Sequence, residues 1–382
     1  NYYGATRMAT EDPWQWSVNH SYHVLQTSYL IARYNGNPEL IRMITELADA
    51  LLEHRHNGKL YTEINFATDE SRDDSGNPNK PWSLFYAAYY LTGDKKYLEP
   101  VPSHDLNKRE FNKEKLARSY REEITNLGVR EYINTEGSIW IDRVAPFTPK
   151  IQEDRLGGTA LLRINTLYPQ HFVSWKFNAP ATYASTAIFI PDANRTKINV
   201  IAYNLDDKPV SADMTVWDVN PGKWRIRQGI DLNDDQSIDS AATESIIDLK
   251  RGESVNLHFA PGKYSIVSLE LVEPSEKGYW ELPDLGIGPD DVKINGNQVI
   301  VRVHNIGAVA SEETLMEIRD AKGAVAATVR VPPLEAPLDL KPRWKDIIIP
   351  VADGTDLSSG TVQIDPERKT GQISQKNDVV KW

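Results

Sequence analysis

Residues 254–271, Ser254-Val-Asn-Leu-His-Phe-Ala-Pro-Gly-Lys-Tyr-Ser-Ile-Val-Ser-Leu-Glu-Leu271, contain two runs in which apolar and polar side chains alternate. Such alternation places the apolar side chains on one face of a β-strand. Pro261 and Gly262 lie between the runs and favour the backbone conformations of a turn. The stretch therefore predicts two antiparallel strands that bury one face.

The same pattern recurs through the middle of the chain after Gly128. Turn residues, mostly Pro, Asn, Asp and Gly, separate the runs. With the two runs above, eight short strands at this spacing predict an antiparallel β-sandwich over residues 129–273. The other six predicted strands cover residues 138–143, 159–163, 172–177, 185–190, 198–203 and 214–217.

Residues 1–128 have a different, helical pattern. Residues 29–41 and 86–98 can be superposed with Gly36 on Gly93, which makes them an internal repeat. Each copy predicts a helix, a glycine turn and a second helix, an αα-hairpin. The polar, turn-rich stretch 57–81 between the copies predicts a long loop, either functional or simply solvated.

A dense group of polar and aromatic residues opens this helical part, in Trp14-Gln-Trp-Ser-Val-Asn-His-Ser-Tyr-His23. Asp12, Pro13 and Gln15 predict the start of a helix, as the N-cap, the first helical residue and part of a capping box. Asn19, His20 and His23 crowd the first turns of that helix. Burying such polar groups costs free energy unless they are hydrogen-bonded. They therefore either hydrogen-bond neighbouring loops or form a functional site.

The composition is that of a soluble globular protein of two or three domains, since 382 residues are too many for one ordinary core. Acidic residues number 54 against 43 basic ones, and the net charge of -11 argues against nucleic acid as a partner. A local basic patch could still bind an anionic polymer. The absence of cysteine excludes disulfides and thiolate metal sites. No apolar run is long enough to predict a membrane span.

Residues 274–283 predict a linker to a second, smaller β unit over residues 283–382. This unit resembles the CARDB group of immunoglobulin-like bacterial surface modules, through Pro283-Asp-Leu-Gly-Ile287, Val301-Arg-Val-His-Asn-Ile-Gly307 and Ile373-Ser-Gln-Lys-Asn-Asp378. The resemblance implies an accessory sandwich in a secreted or cell-surface protein of a bacterium.

The order of a helical segment followed by a sandwich is similar to the C-terminal part of (α/α)-toroid polysaccharide lyases. Asn19-His-Ser-Tyr22 matches the string that carries the catalytic Asn and His of alginate lyases, although His23 stands where those enzymes have Trp. Thr92-Gly-Asp-Lys-Lys-Tyr-Leu98 matches their hairpin type. The resemblance implies an α+β multidomain chain with a partial toroid, whose further N-terminal segment lies outside this chain.

The lyase resemblance implies β-elimination on an anionic, uronate-containing polysaccharide, with no organic cofactor. This reaction needs a group that neutralises the C6 carboxylate, a base for the C5 proton and an acid for the leaving O4. We expect Asn19 to neutralise the carboxylate, His20 to act as the base, and Tyr22 or Tyr61 to act as the acid. We expect substrate contacts from Trp14, Trp16, His23 and Arg72.

Two other function classes remain open. A toroid glycoside hydrolase would need two carboxylates about 5 to 10 Å apart. Its candidates are Glu11, Asp12, Glu63, Asp69 and Glu70. A non-catalytic carbohydrate-binding or cell-surface structural protein would use the helices only as a scaffold.

A second chemical motif is Asp231-Leu-Asn-Asp-Asp-Gln-Ser-Ile-Asp239, which is similar to the calcium loops of dockerins and EF-hands. Asp231, Asn233, Asp235 and Asp239 supply side-chain oxygens, and Ser237 supplies a carbonyl. Gln236 replaces the usual glycine at position six and Ala242 replaces the acidic ligand at position twelve, so Asp234 or Glu244 would complete the site. The motif predicts either a structural Ca²⁺ site or an acidic hairpin tip.

Overall fold

The computed structural model describes residues 26–53, 63–65, 70–72, 82–100, 114, 117–118, 121, 154–158, 171–182 and 184–382. β-Sheet predominates in this part of the chain, and its neighbouring strands pair antiparallel. The predicted strands 138–143 and 159–163 lie outside the described residues. The described helices form one αα-hairpin and one helix followed by a short 3₁₀ helix, which do not by themselves make a toroid.

The helical repeat is confirmed at its glycines. Gly36, with φ 66°, ends helix α1 (Gln26–Asn35) before helix α2 (Pro38–Glu53) begins. Gly93, with φ 73°, follows helix α3 (Trp82–Thr92), and a short 3₁₀ helix at Lys95–Leu98 comes next. A positive φ is readily adopted by glycine, which is why both turns use it.

Helix α2 forms because its start is capped and one face is apolar. The side-chain oxygen of Asn37 accepts hydrogen bonds from the backbone N–H groups of Glu39 and Leu40, at 3.1 and 3.2 Å. Four side chains at helical spacing bury that face against α1 and α3. They are Leu40, Ile44, Ala48 and Leu51.

Two sheets form the first sandwich. Its strands are β3 (Val173–Phe177), β4 (Thr186–Asn194), β5 (Lys197–Asn204), β6 (Val210–Val216), β7 (Gly222–Asp231), β8 (Ser240–Leu249), β9 (Ser254–Phe259) and β10 (Tyr264–Pro274). Strands β1 (Glu63–Asn65) and β2 (Glu70–Arg72) form a separate short hairpin earlier in the chain. One sheet has the order β4-β5-β10-β7-β8, and the facing sheet has the order β3-β6-β9.

Alternation along the strands builds the core between these sheets. Strand β6 buries Val210, Ala212, Met214 and Val216, which are every second residue. The indole of Trp224 is fully buried and packs in the same cluster. The strands predicted at 172–177, 185–190, 198–203, 214–217, 254–259 and 264–271 are therefore confirmed as parts of one sandwich, with shifts of a few residues at their ends.

Strands β7 and β8 were not among the predicted strands. Strand β7 alternates buried Trp224 and Ile226 with Arg225 and Arg227, and its charged residues obscured the pattern. Strand β8 is mostly exposed and lies at the sheet edge, so it lacks the apolar alternation of a half-buried strand. The acidic loop 232–239 therefore connects two paired strands of one hairpin.

The second sandwich also has two layers. Its strands are β11 (Leu285–Gly286), β12 (Val292–Asn295), β13 (Gln298–Asn305), β14 (Thr314–Arg319), β15 (Val325–Val331), β16 (Arg343–Pro350), β17 (Thr361–Ile364) and β18 (Val379–Lys381). One sheet has the order β11-β13-β12 with β16 also paired to β13, and the other has the order β15-β14-β17-β18. Val299, Val301, Val303 and Ile318 lie in its separate core.

The segment 274–283 that joins the two sandwiches makes specific tertiary contacts. The hydroxyl of Tyr279 accepts a hydrogen bond from the backbone N–H of Arg251 at 2.6 Å. The indole N–H of Trp280 donates to the carbonyl of Arg33 in α1 at 3.3 Å. The segment that was expected to be a linker is therefore packed between the first sandwich and helix α1.

No helix among the described residues has the length and apolar character needed to cross a membrane.

Candidate functional site

Most residues expected to carry catalysis or substrate contacts lie outside the described part of the chain, and their roles stay predictions. They are Trp14, Trp16, Asn19, His20, Tyr22, His23 and Tyr61. The backbone of Arg72 is described at the end of β2, opposite Glu63 of β1. Its side chain is outside the described set.

The acidic loop between β7 and β8 is fully described, and it is folded around the carboxylate of Asp231. One oxygen of that carboxylate accepts the backbone N–H groups of Asn233 and Asp234, at 3.1 and 2.8 Å. The other accepts the N–H of Gln236 at 2.9 Å. Asp239 closes the loop by accepting the N–H of Leu232 at 2.7 Å. The first and last carboxylates of the loop thus both accept hydrogen bonds from its backbone.

The carboxylates of this loop converge. Asp231, Asp235 and Asp239 each offer an oxygen, and these oxygens lie within 4.8 Å of one another. Asp231 is 6% exposed, whereas Asp235 and Asp239 are exposed to solvent. Asn233 and Ser237 belong to the same turn, where Asn233 accepts the N–H of Asp235 and Ser237 donates its N–H to Asp235. Oxygen ligands grouped in this way suit Ca²⁺.

The backbone of Gln236 adopts the conformation that calcium loops usually obtain from glycine. Its φ is 69°, and Asp234 has φ 65°. A Gln at positive φ is strained relative to glycine. The substitution at position six therefore preserves the sharp turn at an energetic cost.

Glu244, which was expected to be able to complete the site, is engaged elsewhere. Its two carboxylate oxygens pair with Arg225 and Arg227 of the neighbouring strand, at 3.5 and 3.3 Å. Ala242 contributes no side-chain ligand. Asp234 thus remains as the extra acidic residue within the loop.

A second cluster, which the sequence analysis did not identify, forms where helix α1 meets both sandwiches. On the side of the second sandwich, the hydroxyl of Tyr34 donates to Asp284, and Asn35 donates to the carbonyl of Ile306 at 3.1 Å. On the side of the first sandwich, Arg33 forms an ion pair with Asp218 at 2.8 Å. Helix α1 therefore connects the two β units directly.

Three arginines surround the single carboxylate of Asp218, and we call these four residues the arginine junction. Arg33 lies in α1, Arg195 in the turn between β4 and β5, and Arg251 in the turn between β8 and β9. The Nε of Arg195 lies 3.3 Å from Asp218. Aromatic rings cover the guanidinium groups, with Tyr279 at 4.5 Å from Arg251 and Tyr90 at 4.1 Å from Arg195.

Burial dominates the protonation behaviour of the junction. Burial raises the pKa of Asp218, and the charges of Arg33 and Arg251 oppose that shift. Burial, helped by repulsion from Arg33, lowers the pKa of Arg195 to about 10. Each shift means that the charged form is less well solvated than in water.

A cavity of about 460 Å³ opens beside the arginine junction. It lies between the first sandwich, helix α1 and the segment 274–283. Arg195, Arg251, Lys277 and Trp280 are among its lining residues. This size is within the usual range of small-ligand sites. The sequence held no local signal for it, because its arginines are widely spaced along the chain and each has an ordinary context.

No family model and no curated protein matches the sequence. Among solved structures, it shows weak similarity to two glycoside hydrolases. A β-glucuronidase from Ruminococcus gnavus is 11% identical with a TM-score of 0.16, over 46% of this chain and 35% of that one. A β-1,2-glucanase from Parabacteroides distasonis is 9% identical with a TM-score of 0.16, over 55% of this chain and 36% of that one.

The chain thus spans about a third of the length of the solved structures it matches. At this level of similarity neither enzyme's fold nor its activity can be transferred to the chain.

Proposed function

We propose that this chain belongs to a secreted bacterial polysaccharide lyase that cleaves a uronate-containing polysaccharide by β-elimination. The observation that carries the proposal is the order of its parts. The string Asn19-His-Ser-Tyr22 directly precedes the α1 and α2 hairpin in the sequence. Helix α3 with its 3₁₀ helix follows, and an antiparallel sandwich comes next. A partial (α/α) toroid followed by sheets is the architecture that the lyase resemblance implies.

The chemistry follows from the residue types of the string. The amide of Asn19 donates to the C6 carboxylate of the substrate, which makes the C5 proton more acidic. His20 removes that proton because a neutral imidazole is a base near neutral pH. Tyr22 or Tyr61 gives a proton to the leaving O4 atom. Trp14, Trp16, His23 and Arg72 contact the neighbouring sugars.

Substitution of the base tests the proposal. We expect His20→Ala to lower the turnover of a uronate polymer by about 10²- to 10⁴-fold, the usual contribution of a general base. The matched control is His258→Ala, because His258 is an exposed residue of β9 in the first sandwich. Equal turnover in His20→Ala and in the wild type would contradict the assignment.

We also propose that the acidic loop binds a structural Ca²⁺ ion. The converging oxygens of Asp231, Asp235 and Asp239 support it, as does the positive φ of Gln236. Asn233 and the carbonyl of Ser237 would complete the ligand set. A bound cation would supply charge neutralisation for these carboxylates and hold the β7–β8 hairpin closed.

A further inference from the structure

The cavity beside the arginine junction is cationic, although the whole chain is acidic. Among the described residues that line it, four carry positive charge and two carry carboxylates. The cations are Arg33, Arg195, Arg251 and Lys277, and the carboxylates are Asp218 and Glu281. With a net charge of -11 for the chain, this local excess of cations marks a place that favours an anion.

Besides Asp218, the described groups that hold Arg195 and Arg251 in place are neutral. Arg251 donates from Nε to the carbonyl of Trp217 at 3.1 Å and lies against the ring of Tyr279. Arg195 donates from Nε to the hydroxyl of Tyr90 at 3.2 Å and lies over the ring of Tyr90. These contacts fix the guanidinium groups without neutralising them.

Within the part of the chain that the structure describes, the terminal donors of Arg195 are not taken up by another residue. Both of its side-chain polar contacts, to Tyr90 and Asp218, are made through Nε. Its two Nη groups make no hydrogen bond to any residue that the structure describes. A guanidinium with free Nη groups can pair with a carboxylate or sulfate through parallel hydrogen bonds.

Grouping like charges at a partly buried site is unfavourable unless an anion compensates for them. Among the described residues of the junction, the single carboxylate of Asp218 is shared between Arg33 and Arg195. The lowered pKa of Arg195 has the same origin, in burial and in repulsion from Arg33. A bound anion would relieve that repulsion.

An aromatic surface lies beside the cations. The indole of Trp280 lines the cavity, is 36% exposed, and is held through its N–H to the carbonyl of Arg33. Indole rings give flat apolar contact to the faces of sugar rings. The cavity volume of about 460 Å³ accommodates a ligand of one or two sugar rings.

We propose that this cavity binds an acidic sugar residue, with its carboxylate or sulfate group paired to Arg195 and Arg251 and its ring against Trp280. The identification of the ligand as a sugar rests on the proposed function, whereas the preference for an anion rests on the arginines themselves.

Titration calorimetry and thermal shift on the full chain test the inference. The probes are sodium glucuronate, sodium galacturonate, glucose 6-sulfate, inorganic sulfate and the neutral methyl glucoside. The variant is Arg195→Gln, and the matched control is Arg225→Gln in β7; both arginine side chains are partly exposed. Circular dichroism checks that both variants are folded.

We expect at least one acidic sugar to bind the wild type and to raise its melting temperature, with weaker binding at high salt. Methyl glucoside should not bind. Arg195→Gln should weaken acidic-sugar binding by about ten- to a hundredfold, the usual effect of losing a charged hydrogen-bond donor, and Arg225→Gln should leave it unchanged.

Three results would overturn the inference: no binding by any acidic sugar, equal binding of methyl glucoside, or unchanged affinity in Arg195→Gln. Binding of inorganic sulfate alone would also overturn the assignment to a sugar. If Arg195→Gln does not fold, the comparison of acidic and neutral probes on the wild type still tests whether the cavity prefers an acidic sugar. Failure of the lyase assay with retained binding would overturn the proposed function and leave the cavity assignment standing.

Discussion

Gly36 combines two constraints at a single residue. Its φ of 66° favours glycine, and a Cβ placed there would lie 2.5 Å from Cγ and Cδ2 of Trp280. Gly93 has a similar φ of 73°, but a Cβ there would have no neighbour within 4 Å. The two glycines of the repeat thus separate the effect of backbone strain from the effect of packing.

We expect Gly93→Ala to lower the free energy of unfolding by about 1–2 kcal/mol, from backbone strain alone. Gly36→Ala should cost about 1–3 kcal/mol more, because the methyl group displaces the Trp280 indole. Urea denaturation of both variants measures the difference. Equal destabilisation would show that Trp280 does not pack on Gly36.

Asp284 and Asp378 give the second sandwich an unusual pH dependence. Burial raises the pKa of Asp284 to about 6, and burial together with repulsion from Asp284 raises the pKa of Asp378 to about 7. In the unfolded chain both carboxyls lose their protons near pH 4. Between about pH 4 and 7 the folded state therefore holds protons that the unfolded state has released.

We expect the free energy of unfolding to fall as the pH rises from about 4 to 7, because charging these carboxyls opposes folding. Asp378→Asn should make this slope shallower, since an amide does not titrate and its oxygen can still accept from Gln372. Denaturation at a series of pH values measures the slope.

The control for this slope is Asp346→Asn. Asp346 is exposed, and its hydrogen bond to Arg302 lowers its pKa, so its stabilising contribution is lost only as the pH falls below about 4. Its substitution should leave the slope between pH 4 and 7 unchanged. A wild-type stability that rises with pH over this range would contradict the account.

The sequence allowed some of these residue properties to be predicted and not others. The internal repeat located the turns at Gly36 and Gly93, since a helix that ends at glycine is a local signal. The contact between Gly36 and Trp280 joins residues far apart in the chain. The raised pKa values depend on burial in the folded state, which no local pattern records.

At the level of elements, the β7–β8 hairpin presents the predicted calcium loop. Its two strands were missed because charged residues interrupt the alternation of β7 and because β8 is exposed. The loop motif itself was recognisable, since its ligands are set by local spacing. The engagement of Glu244 by Arg225 and Arg227 was not predictable, because it depends on the register of β7 with β8.

We expect millimolar Ca²⁺ to raise the melting temperature and a chelator to reverse the increase, because the ion would bind only the folded loop. Gln236→Gly should raise both calcium affinity and stability, the latter by about 1 kcal/mol, because it relieves the strain at φ 69°. Differential scanning calorimetry with and without calcium makes the comparison.

Asp235→Asn together with Asp239→Asn should abolish the calcium response. The matched control is Asp207→Asn, an exposed acidic residue in the turn between β5 and β6. A wild-type melting temperature that does not respond to calcium would show that the loop is an acidic hairpin tip.

Among the described elements, helix α1 contacts both sandwiches. Arg33 pairs with Asp218 of the first sandwich, and Tyr34 pairs with Asp284 beside the second. The sequence predicted the two β units from their strand patterns, but it gave no indication that adjacent residues of one helix would join them. Long-range pairing of this kind depends on the complete fold.

Product analysis can show whether the chain takes part in β-elimination on a uronate polymer, as we propose. Purified full chain is incubated with alginate and other uronate polysaccharides, and the new non-reducing ends are analysed by ultraviolet absorbance and mass spectrometry. The account predicts C4–C5 unsaturated ends, absent with His20→Ala and retained with His258→Ala. Saturated ends with one added water would indicate hydrolysis, and unchanged polymers would show that this chain does not carry out β-elimination on them; either result would contradict the proposal.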